Sequence, residues 1–410
     1  MVEYPADWKV GKVSDFYEVG SSKRVFQSDW RTFGIPFYRA RELVEFNKTG
    51  KCNNDLYIDE SLYSELRTKY GVPSIGDMLV TGVGTLGTTY VVRDDAPFYF
   101  KDGNIIWFRK RGGYDTDFLQ YLYAYVEVKN QIEDASGGST VGTYTIGNAA
   151  RTVIPVPPLP EQKRIAAVLS NADKLIANVE KQIAKKRAIK QGAMQELLTG
   201  KKRLSGFSGD WKKKTLGSSA TVKARIGWQG LTTAEYLKDG DHYLVNGVNI
   251  ENGQVNWQTC FMVDEKRYAQ DKNIQLQNFD VLVSKDGTIG KVAYVENMPR
   301  TATLNSGVFV VRSIDAELSQ EYLARVFLSM WFDDFIEKIT AGSTIVHLYQ
   351  KDIVQFTFQV PPSLAEQRTI AKVLSGMDTE IANLGRKLEK LKLMKQGMMQ
   401  DLLTGKVRLK

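Results

Sequence analysis

The sequence predicts a duplicated α+β protein: two similar mixed α/β domains, each followed by a long basic helix, in a pseudo-two-fold design. Residues 161–204 align without a gap on residues 366–409, and 24 of the 44 aligned pairs are identical. The offset of 205 positions is half of the 410-residue chain. Solenoid repeats have periods of about 20–50 residues, so this repeat is a duplicated domain rather than a solenoid unit.

The two tails carry apolar residues at spacings that alternate between four and three. Sustained heptads of this kind indicate a coiled coil, although Lys186, Lys190 and Lys395 interrupt the pattern. Helices of about 38 residues form rods of roughly 57 Å. The best cover for each seam is the other copy; the alternative is that each helix packs only on its own domain. The predicted seam consists of Ile165, Leu169, Ile176, Val179, Ile183, Ile370, Leu374, Ile381, Leu384, Leu388 and Leu391.

Residues at the ends of the tails resemble helix start and stop signals. Ser363 and Glu366 fit a capping box, and Pro160 suits the first position of a helix. Gly200 and Gly405, each in the sequence LLTGK, fit helix stops. Each tail is therefore expected to form one continuous helix.

The first domain, before the first tail, has mixed helix and strand patterns. A turn into a strand is predicted at residues 34–39, a helix at 61–70 and a strand at 77–81. A glycine loop at 82–87 separates that strand from another at 89–93. Further predictions are a strand at 104–109, a helix at 116–128, a loop at 137–140 and a strand at 152–156. This order is typical of an α+β domain.

The second domain repeats these landmarks in the same order. Residues 210–212 match 7–9, and the strand and glycine loop at 280–290 match 77–87. A helix at 321–330, a loop at 341–344 and a strand at 356–360 complete the series. Most residues between the landmarks differ. Two similar domains that recognise different targets would show this pattern. Two copies whose surfaces diverged without selection would show it as well.

Composition indicates a globular protein of two or three domains. Hydrophobic residues make up 43% of the chain and aromatic residues 11%. The sequence has no apolar run of membrane-spanning length and no charged-then-apolar leader, so a soluble, cytoplasmic protein without a membrane partner is expected. Cys52 and Cys260 are the only cysteines, which excludes a disulfide framework or a paired-cysteine metal site.

The net charge of +8 favours a nucleic-acid partner, but the charge is unevenly distributed. Residues 161–204 carry 11 basic and 4 acidic side chains, and residues 366–410 carry 10 and 5. The tails therefore hold a net charge of +12, and the rest of the chain sums to −4. The helix charge fits either a phosphate-facing surface or the solvated surface of a coiled coil.

The sequence lacks the motifs of a DNA-modifying catalyst. Its Pro-Pro pairs precede Leu159 and Ser363 rather than the aromatic residue of a methyltransferase motif, and no Gly-Lys pair precedes Ser or Thr as a P-loop requires. The acidic stretch 333–338 lies in a helical pattern, so it reads as a solvated face rather than a nuclease centre. With only His242 and His347 as histidines, we predict no catalytic and no metal residues. The glycine loops are either tight turns or phosphate cradles.

These features together resemble the specificity subunit of type I restriction–modification systems. The resemblance rests on PPLPEQKRIAAVLSNAD with LLTGKKRL, PPSLAEQRTIAKVLSGMD with LLTGKVRL, the loops VGTLG and DGTIG, and the loops GGST and AGST. It covers the whole length of the chain, although the linker before the second tail is one residue longer than the first.

The resemblance implies a division of labour along the chain. Residues 1–156 and 205–360 would be target-recognition domains, each reading half of a bipartite site in double-stranded DNA. Residues 157–204 and 361–410 would be conserved regions that pair as an antiparallel coiled coil and set the gap between half-sites. The helices would dock two methyltransferase subunits, and two motor–nuclease subunits would complete the restriction complex. The chain itself would carry no cofactor, while S-adenosylmethionine, ATP and Mg would be bound by the partners.

Candidate DNA-contacting residues are polar and basic side chains in the two domains, because such side chains read base edges and bind phosphates. Two alternatives stay open: an adaptor that works without motor subunits, and a coiled-coil scaffold whose two heads bind protein rather than DNA. The candidates are Lys23, Arg24, Arg39, Arg41, Thr85, Arg109, Arg111, Ser139 and Thr140 in the first domain, and Lys223, Arg225, Asn246, Asn249, Lys285, Thr288, Ser343 and Thr344 in the second.

Overall fold

A computed structural model describes residues 3–137, 142–227, 230–341 and 347–409 of the chain. The chain divides into two compact units. The first comprises Met1–Glu180 with Arg386–Lys410, and the second comprises Lys181–Gly385. Each unit contains one mixed α/β domain and a segment of both long helices.

The first unit has short strands with helices packed between them. The elements before the first long helix are β1 (Lys9–Lys12), α1 (Val13–Phe16), β2 (Tyr17–Gly20), β3 (Trp30–Arg31), β4 (Ile35–Tyr38), α2 (Ala40–Thr49), β5 (Tyr57–Ile58), α3 (Glu60–Tyr70), β6 (Met78–Thr81), β7 (Thr89–Val91), β8 (Tyr99–Phe100), β9 (Ile105–Lys110), α4 (Thr116–Ala124), α5 (Val126–Ala135), α6 (Ile146–Arg151) and β10 (Val153–Val156). The first long helix, α7 (Leu159–Leu197), follows and continues into the second unit.

Two four-stranded sheets form the described core of the first domain. One has the order β2-β9-β6-β7 and is antiparallel throughout. The other has the order β3-β5-β4-β8, and its β4 and β8 run parallel. All four residues of β6 are buried, so this strand is covered on both faces. Because β4 and β8 are parallel, their carboxyl ends meet at one edge of the sheet.

The core of the first unit includes the start of the first long helix and the end of the second. Ile165 and Leu169, from the start of α7, are fully buried against the domain. Leu402 and Leu403, from the end of the second long helix, join the same cluster. Each long helix therefore starts on its own domain, but the end of the second helix packs on the first domain. The alternative that each helix packs only on its own domain is wrong for this reason.

The second unit repeats this arrangement. Its elements are β11 (Lys212–Thr215), α8 (Leu216–Ser219), β12 (Ala220–Ala224), β13 (His242–Val245), β14 (Ile250–Glu251), β15 (Gln254–Val255), β16 (Phe261–Val263), α9 (Glu265–Ala269), β17 (Val281–Ser284), β18 (Val292–Tyr294), β19 (Ala302–Leu304), β20 (Val308–Ser313), α10 (Gln320–Phe327), α11 (Met330–Thr340), α12 (Gln350–Ile353), β21 (Thr357–Val360) and the second long helix α13 (Leu364–Leu403).

The sheets of the second unit confirm the duplication of the fold. The antiparallel sheet β12-β20-β17-β18 corresponds to β2-β9-β6-β7. A parallel pair, β13 and β19, corresponds to β4 and β8. The domain ends in the strand pair β11 and β21, as the first ends in β1 and β10. The predicted fold class of two mixed α/β domains with two long helices is confirmed.

Three local predictions were wrong. The helix predicted at 321–330 ends at Phe327, and Met330 begins a separate helix after the extended Ser329. The helix predicted at 116–128 is two helices, because Tyr125 is extended (φ −92°, ψ 152°) and its N–H bonds to Leu122 O instead of continuing the α ladder. The capping box predicted for Ser363 and Glu366 is absent, because Glu366 is buried in an ion pair with Arg203. Ser363 Oγ accepts a hydrogen bond from the Ala365 N–H instead.

Glycines terminate both long helices as predicted, and their surroundings require glycine. Gly200 and Gly405 are left-handed, with φ of 72° and 74°. A Cβ on Gly405 would lie 2.6 Å from the Pro5 ring, and one on Gly200 would lie 3.2 Å from the Trp211 indole. The tail therefore turns tightly against the start of a domain in each unit.

Candidate nucleic-acid interface and helix pairing

The long helices pack against each other within each unit, and the pairs of contacting residues show that they run antiparallel. In the first unit, Lys395 Nζ lies 2.5 Å from Asp173 Oδ1, and Lys392 Nζ lies 3.4 Å from Glu180 Oε1. As the residue number increases along α7, the number of the paired residue in α13 decreases, so the two helices are antiparallel. The predicted pairing of the two tails is therefore present in this unit.

The second unit repeats the antiparallel pairing at positions that are equivalent in the sequence repeat. Lys190 pairs with Asp378, and Lys186 Nζ lies 2.7 Å from Glu380 Oε1. The first of these pairs corresponds to Asp173 and Lys395 after the 205-residue shift. In the seam predicted from the heptads, Ile165, Leu169, Val179, Ile183, Ile370 and Leu374 are buried, and Ile176, Ile381, Leu384, Leu388 and Leu391 are half-buried.

A side chain from the domain completes each Asp–Lys pair. Tyr121, on α4, donates its hydroxyl to Asp173 Oδ2 at 2.8 Å. Arg325, on α10, donates to Asp378 Oδ2 at 2.7 Å. Tyr121 and Arg325 occupy equivalent positions of equivalent helices. Each aspartate thus ties the helix pair to the adjacent domain.

The Glu-Gln dipeptide at the start of each tail has two separate structural roles. Gln162 is fully buried; its Oε1 accepts the Asp115 N–H at 2.8 Å and its Nε2 donates to Pro157 O at 2.8 Å. Gln367 makes the same type of bonds to Ser319 N and Pro361 O, at 2.8 and 2.9 Å. Asp115 and Ser319 are the N-caps of α4 and α10. The glutamines therefore join the long helices to the domains.

The glutamates of the dipeptides bind the arginine of the LLTGKxRL motif. Arg408 donates to both Glu161 oxygens at 2.8 and 2.7 Å, and also to Asp7. Arg203 contacts Glu366 at 3.0 and 2.6 Å. The hydrogen bonds from Arg408 hold the pKa of Glu161 below its ordinary value, although burial acts in the opposite direction. The Glu-Gln and LLTGKxRL motifs, which carry the family resemblance, therefore contact each other within each unit.

The candidate DNA-contacting surface of the first unit lies where the parallel strands end. Ser22 Oγ donates to Phe100 O at 2.7 Å, and the Lys101 N–H donates to Tyr38 O at 2.8 Å. The Arg39 N–H donates to Glu42 Oε2 at 2.8 Å. We call residues 22–24, 39–42 and 101 the first corner. Ligands of open sheets commonly bind beyond the carboxyl ends of parallel strands.

The second unit builds an equivalent corner from different side chains. Arg225 Nε donates to Leu304 O at 2.8 Å, and the Asn305 N–H donates to Val245 O at 2.9 Å. The Asn246 N–H donates to Asn249 Oδ1 at 2.8 Å, as Arg39 does to Glu42. We call residues 225–227, 246–249 and 305 the second corner. The backbone scaffold is shared while the chemistry of the side chains differs.

Seven of the residues predicted to contact DNA lie in these two corners. Arg24 pairs with Asp102 at 3.0 Å, and both Arg39 and Arg41 pair with the buried Glu42. Arg225 and Asn249 are only 3% and 1% exposed, and their side chains are hydrogen bonded inside the second corner. Burial in a position that supports the corner leaves these two little access to a ligand. Lys23, Arg24 and Arg41 are exposed, while Arg39 and Asn246 are half-buried.

The other predicted residues lie outside the corners. Arg109 stacks 3.8 Å above the Trp107 ring and pairs with Glu18, and Lys285 pairs with Asp286 at 2.9 Å. Thr85 and Thr288 are exposed at equivalent points of the two glycine loops. Arg111 and Lys223 are also exposed. Ser139, Thr140, Ser343 and Thr344 lie outside the described residues.

The corner residues that sequence reasoning did not select include Lys101, Asn305, Ile226 and Val248. Lys101 and Asn305 each directly follow a short buried strand, β8 and β19. A polar residue immediately after a buried strand is a signal that would have identified both. Ile226 and Val248 were overlooked because aliphatic residues are usually assigned to a core.

Outside the corners, His242 lies in a cluster of side-chain contacts. His242 stacks on Tyr268 with ring centroids 3.9 Å apart, and its ring nitrogens contact Thr301 and Glu265 at 2.6 and 2.7 Å. Within the described ranges, no group of three or more His, Cys, Asp or Glu side chains is placed to hold a metal ion. None of the helices searched in these ranges is both long and apolar enough to span a membrane.

Comparison with known families explains the duplicated architecture. The family described as type I restriction modification DNA specificity domain matches residues 5–186 and again residues 209–393. The chain belongs to this family. In type I systems the specificity subunit supplies DNA specificity and is the non-catalytic subunit, so the chain is the DNA specificity subunit of such a system.

Relatives and solved structures agree with membership in the family. Two specificity subunits of Methanocaldococcus jannaschii, those of the type I restriction enzymes MjaVIII and MjaIX, are 22% and 24% identical to the chain. The alignments cover 99% and 98% of the chain and 94% of each relative. The S subunit of a type I system from M. genitalium shares the fold, with a TM-score of 0.62 at 15% identity over 96% of both chains.

Proposed function

We propose that each domain of this specificity subunit reads one half of a bipartite site in double-stranded DNA. The observation that carries the proposal is the pair of corners: the same backbone scaffold recurs in both units with different side chains around it. A duplicated reader with one specificity would keep the same side chains, whereas two half-sites of different sequence require different ones. The exposed candidates Lys23, Arg24, Arg41 and Lys223, together with Arg39 and Asn246, are the proposed contacts.

Exposed residues outside the corners extend the proposed contact surface. Thr85 and Thr288, at the tips of the glycine loops, suit phosphate oxygens because a hydroxyl donates one hydrogen bond. Arg111 is exposed near the end of β9 and is a second cationic candidate. For the buried Arg225 and Asn249 we propose a supporting role, and for Arg109 and Lys285 a contact made only if their ion pairs open.

The proposed domain boundaries follow the sequence pattern. Residues 1–156 and 205–360 are the target-recognition domains, and residues 157–204 and 361–410 are the helical regions. The helices dock two methyltransferase subunits, and two motor–nuclease subunits complete the restriction complex. S-adenosylmethionine, ATP and Mg bind to those partners. Because its proposed target is genomic DNA, the proposed location is the cytoplasm.

We further propose that the helix pair sets the length of the spacer between half-sites. Helices of 39 and 40 residues are about 60 Å long. Inserting seven residues after residue 182 and after residue 387 keeps the heptad register and adds roughly 10 Å. The spacer is expected to grow by about three base pairs, at 3.4 Å each, with both half-sites unchanged. Methylation-site sequencing of a host that carries the variant measures this, and an unchanged spacer would refute the proposal.

Methylation-site sequencing of a host carrying the unaltered chain with its methyltransferase tests the function itself. A bipartite motif is expected. The variant Arg41→Ala should then weaken protection of one half-site and leave the other unchanged in a footprint. Binding by the reconstituted complex should fall steeply with salt. The absence of a motif, together with salt-insensitive binding, would instead favour a scaffold that binds only protein.

A further inference from the structure

The second corner exposes two aliphatic side chains that do not contribute to the core. Val248 is 73% exposed and Ile226 is 53% exposed. They lie in two different segments that the corner joins through Arg225, Asn305 and Asn246. A single exposed aliphatic residue is ordinary on a protein surface. Here two of them belong to the same corner as Asn246, at the end of a parallel strand pair.

The first corner has cations at each of the equivalent positions. Two sets of hydrogen bonds define which positions are equivalent. One set ends on the last carbonyl oxygens of β8 and β19, and in the other the Arg39 and Asn246 N–H groups donate to the side chain three residues later. In chain order, Lys23, Arg24, Arg39, Arg41 and Lys101 correspond to Ile226, Gly227, Asn246, Val248 and Asn305. The two corners therefore share a scaffold but present different surfaces, cationic in the first and amide and aliphatic in the second. The two corners cannot prefer the same groove chemistry.

Asn246 is held in position for recognition. The Nδ2 of Asn305 donates to Asn246 Oδ1 and also contacts the Tyr236 hydroxyl at 2.6 Å. These bonds orient the Asn246 amide, whose NH₂ group has no protein acceptor within the described residues. A carbonyl oxygen has two lone pairs, so Asn246 Oδ1 can accept one further hydrogen bond. The amide thus presents its N–H donors and one acceptor lone pair to a ligand.

An A·T base pair matches this surface in the major groove. Adenine presents an acceptor at N7 and a donor at N6, which an asparagine amide binds in a bidentate manner. The paired thymine presents its C5-methyl group beside them, and apolar side chains contact that methyl. The cations of the first corner suit guanine O6 and N7 or phosphate oxygens instead.

We propose that the second corner reads an A·T pair in the major groove, with the Asn246 amide on adenine and Val248, beside Ile226, on the thymine methyl. This inference rests on the proposed function, because it assigns one base pair of the half-site read by the second domain. It goes further by naming the base pair and the group that each side chain contacts.

The test uses the full chain reconstituted with its methyltransferase subunits and duplexes carrying the determined target. Deoxyuridine replaces thymidine, one position at a time, in the half-site that the second domain reads. At one position the affinity should fall about fourfold, the value of one buried methyl group. At its partner, 7-deazaadenine should lower the affinity roughly tenfold, because it removes the N7 acceptor.

Variants link these losses to the named side chains. In Val248→Ala, deoxyuridine should no longer weaken binding at that position. Asn246→Asp keeps the oxygen that accepts the Asn305 hydrogen bond but has no N–H donor for adenine N7. In this variant 7-deazaadenine should therefore no longer lower the affinity. Ile314→Ala is the matched control: Ile314 is 64% exposed, but follows the opposite end of the β12–β20 pair. It should keep the full response to both analogues.

Two results would overturn the inference. One is specific binding that is indifferent to deoxyuridine at every position of that half-site, a measurement that needs no variant. The other is an undiminished deoxyuridine effect in Val248→Ala. A complex that shows no sequence-specific binding at all would instead overturn the proposed function, so the two failures are distinguishable.

Discussion

Lys395 Nζ lies 2.5 Å from Asp173 Oδ1, at a point where the heptad pattern of the sequence is interrupted. Lys190 pairs with Asp378 at the point of the second unit that is equivalent in the sequence repeat. The interruptions are therefore charged layers of the seam. A polar pair within an apolar seam selects register and orientation at some cost in stability. The antiparallel arrangement satisfies both pairs, whereas a shifted register would leave each lysine opposite apolar residues.

Reversing the charge of Lys395 should destabilise the helix pair. Lys395→Glu places a second carboxylate beside Asp173, and we expect the free energy of unfolding to fall by about 1–2 kcal/mol, since the pair is partly exposed. Denaturant unfolding measures the loss. The double variant with Asp173→Lys restores opposite charges and should recover more than half of it.

The control for this prediction is Lys392→Glu, because Lys392 is more exposed and lies 3.4 Å from Glu180. Its effect should stay below about 1 kcal/mol, as for other surface pairs. Equal losses at positions 392 and 395 would show that the layer contributes no more than a surface ion pair.

Removing Arg408 should destabilise the first unit more strongly. Glu161 is nearly fully buried, with a side chain only 3% exposed, so Arg408→Ala leaves a buried carboxylate without its main partner. Losses of about 3 kcal/mol are usual for such changes. Thermal unfolding measures the shift. Arg164→Ala is the control and should cost little, because Arg164 is exposed and donates, among the described residues, to the Leu409 carbonyl at 3.1 Å.

Stability should also depend on pH through Glu161. The Arg408 hydrogen bonds hold its pKa in the folded protein below the ordinary value, against the effect of burial. As the pH falls, the unfolded chain therefore binds the proton first. The contribution is fully present above about pH 4.3, the ordinary glutamate pKa, and is lost as the pH falls through the folded pKa.

Unfolding measured from pH 7 to pH 3, in the unaltered chain and in Glu161→Gln, isolates this contribution. Other carboxylates titrate in both proteins and cancel in the difference. The stability difference should be largest at pH 7 and shrink below pH 4.3. A difference that stays constant over this range would contradict the assignment.

The two glycines of positive φ in each loop should respond differently to substitution. Gly84 and Gly87 both have positive φ, 79° and 73°, so alanine costs about 1 kcal/mol at either position. A Cβ on Gly84 meets open space, but one on Gly87 would lie 2.6 Å from Ile132 Cδ1. Gly87→Ala should therefore destabilise the chain measurably more than Gly84→Ala in denaturant unfolding.

The second unit provides an independent repeat of this comparison. A Cβ on Gly287 has no neighbour within 4 Å, whereas one on Gly290 would lie 3.0 Å from Ile336 Cγ2. The order Gly290→Ala above Gly287→Ala is expected, with a smaller gap than in the first unit because the contact is longer. The reverse order in both units would contradict the role of the second glycine as a packing point.

The fold was predictable from the sequence where the signal is local or repeated. The heptads placed every seam residue in a buried or half-buried position, and the repeat required the two domains to share a topology. Helix ends were less predictable. Glu366 fitted a capping box by spacing, but Arg203, 163 residues away in sequence, binds it. Long-range partners of this kind override a local preference whenever they bury the charge.

The candidate site was predictable only in part. Arg39 and Asn246 were chosen for their chemistry, and the structure places them at equivalent corners. Arg225 and Asn249 were chosen for the same reason, yet they are buried and support the corners from within. Residue type does not distinguish a side chain that holds a surface together from one that the surface presents.

The sequence by itself determined the duplication, the helix pairing and the family, because repeats and heptads can be read directly from the order of residues. Only the tertiary structure decided which side chains share a corner. Ser22, Arg39 and Lys101 are far apart in the chain, and they meet because β4 and β8 pair in parallel and end at one edge. Parallel pairing joins distant segments by backbone hydrogen bonds. Every residue has these backbone groups, so the sequence does not show which segments pair.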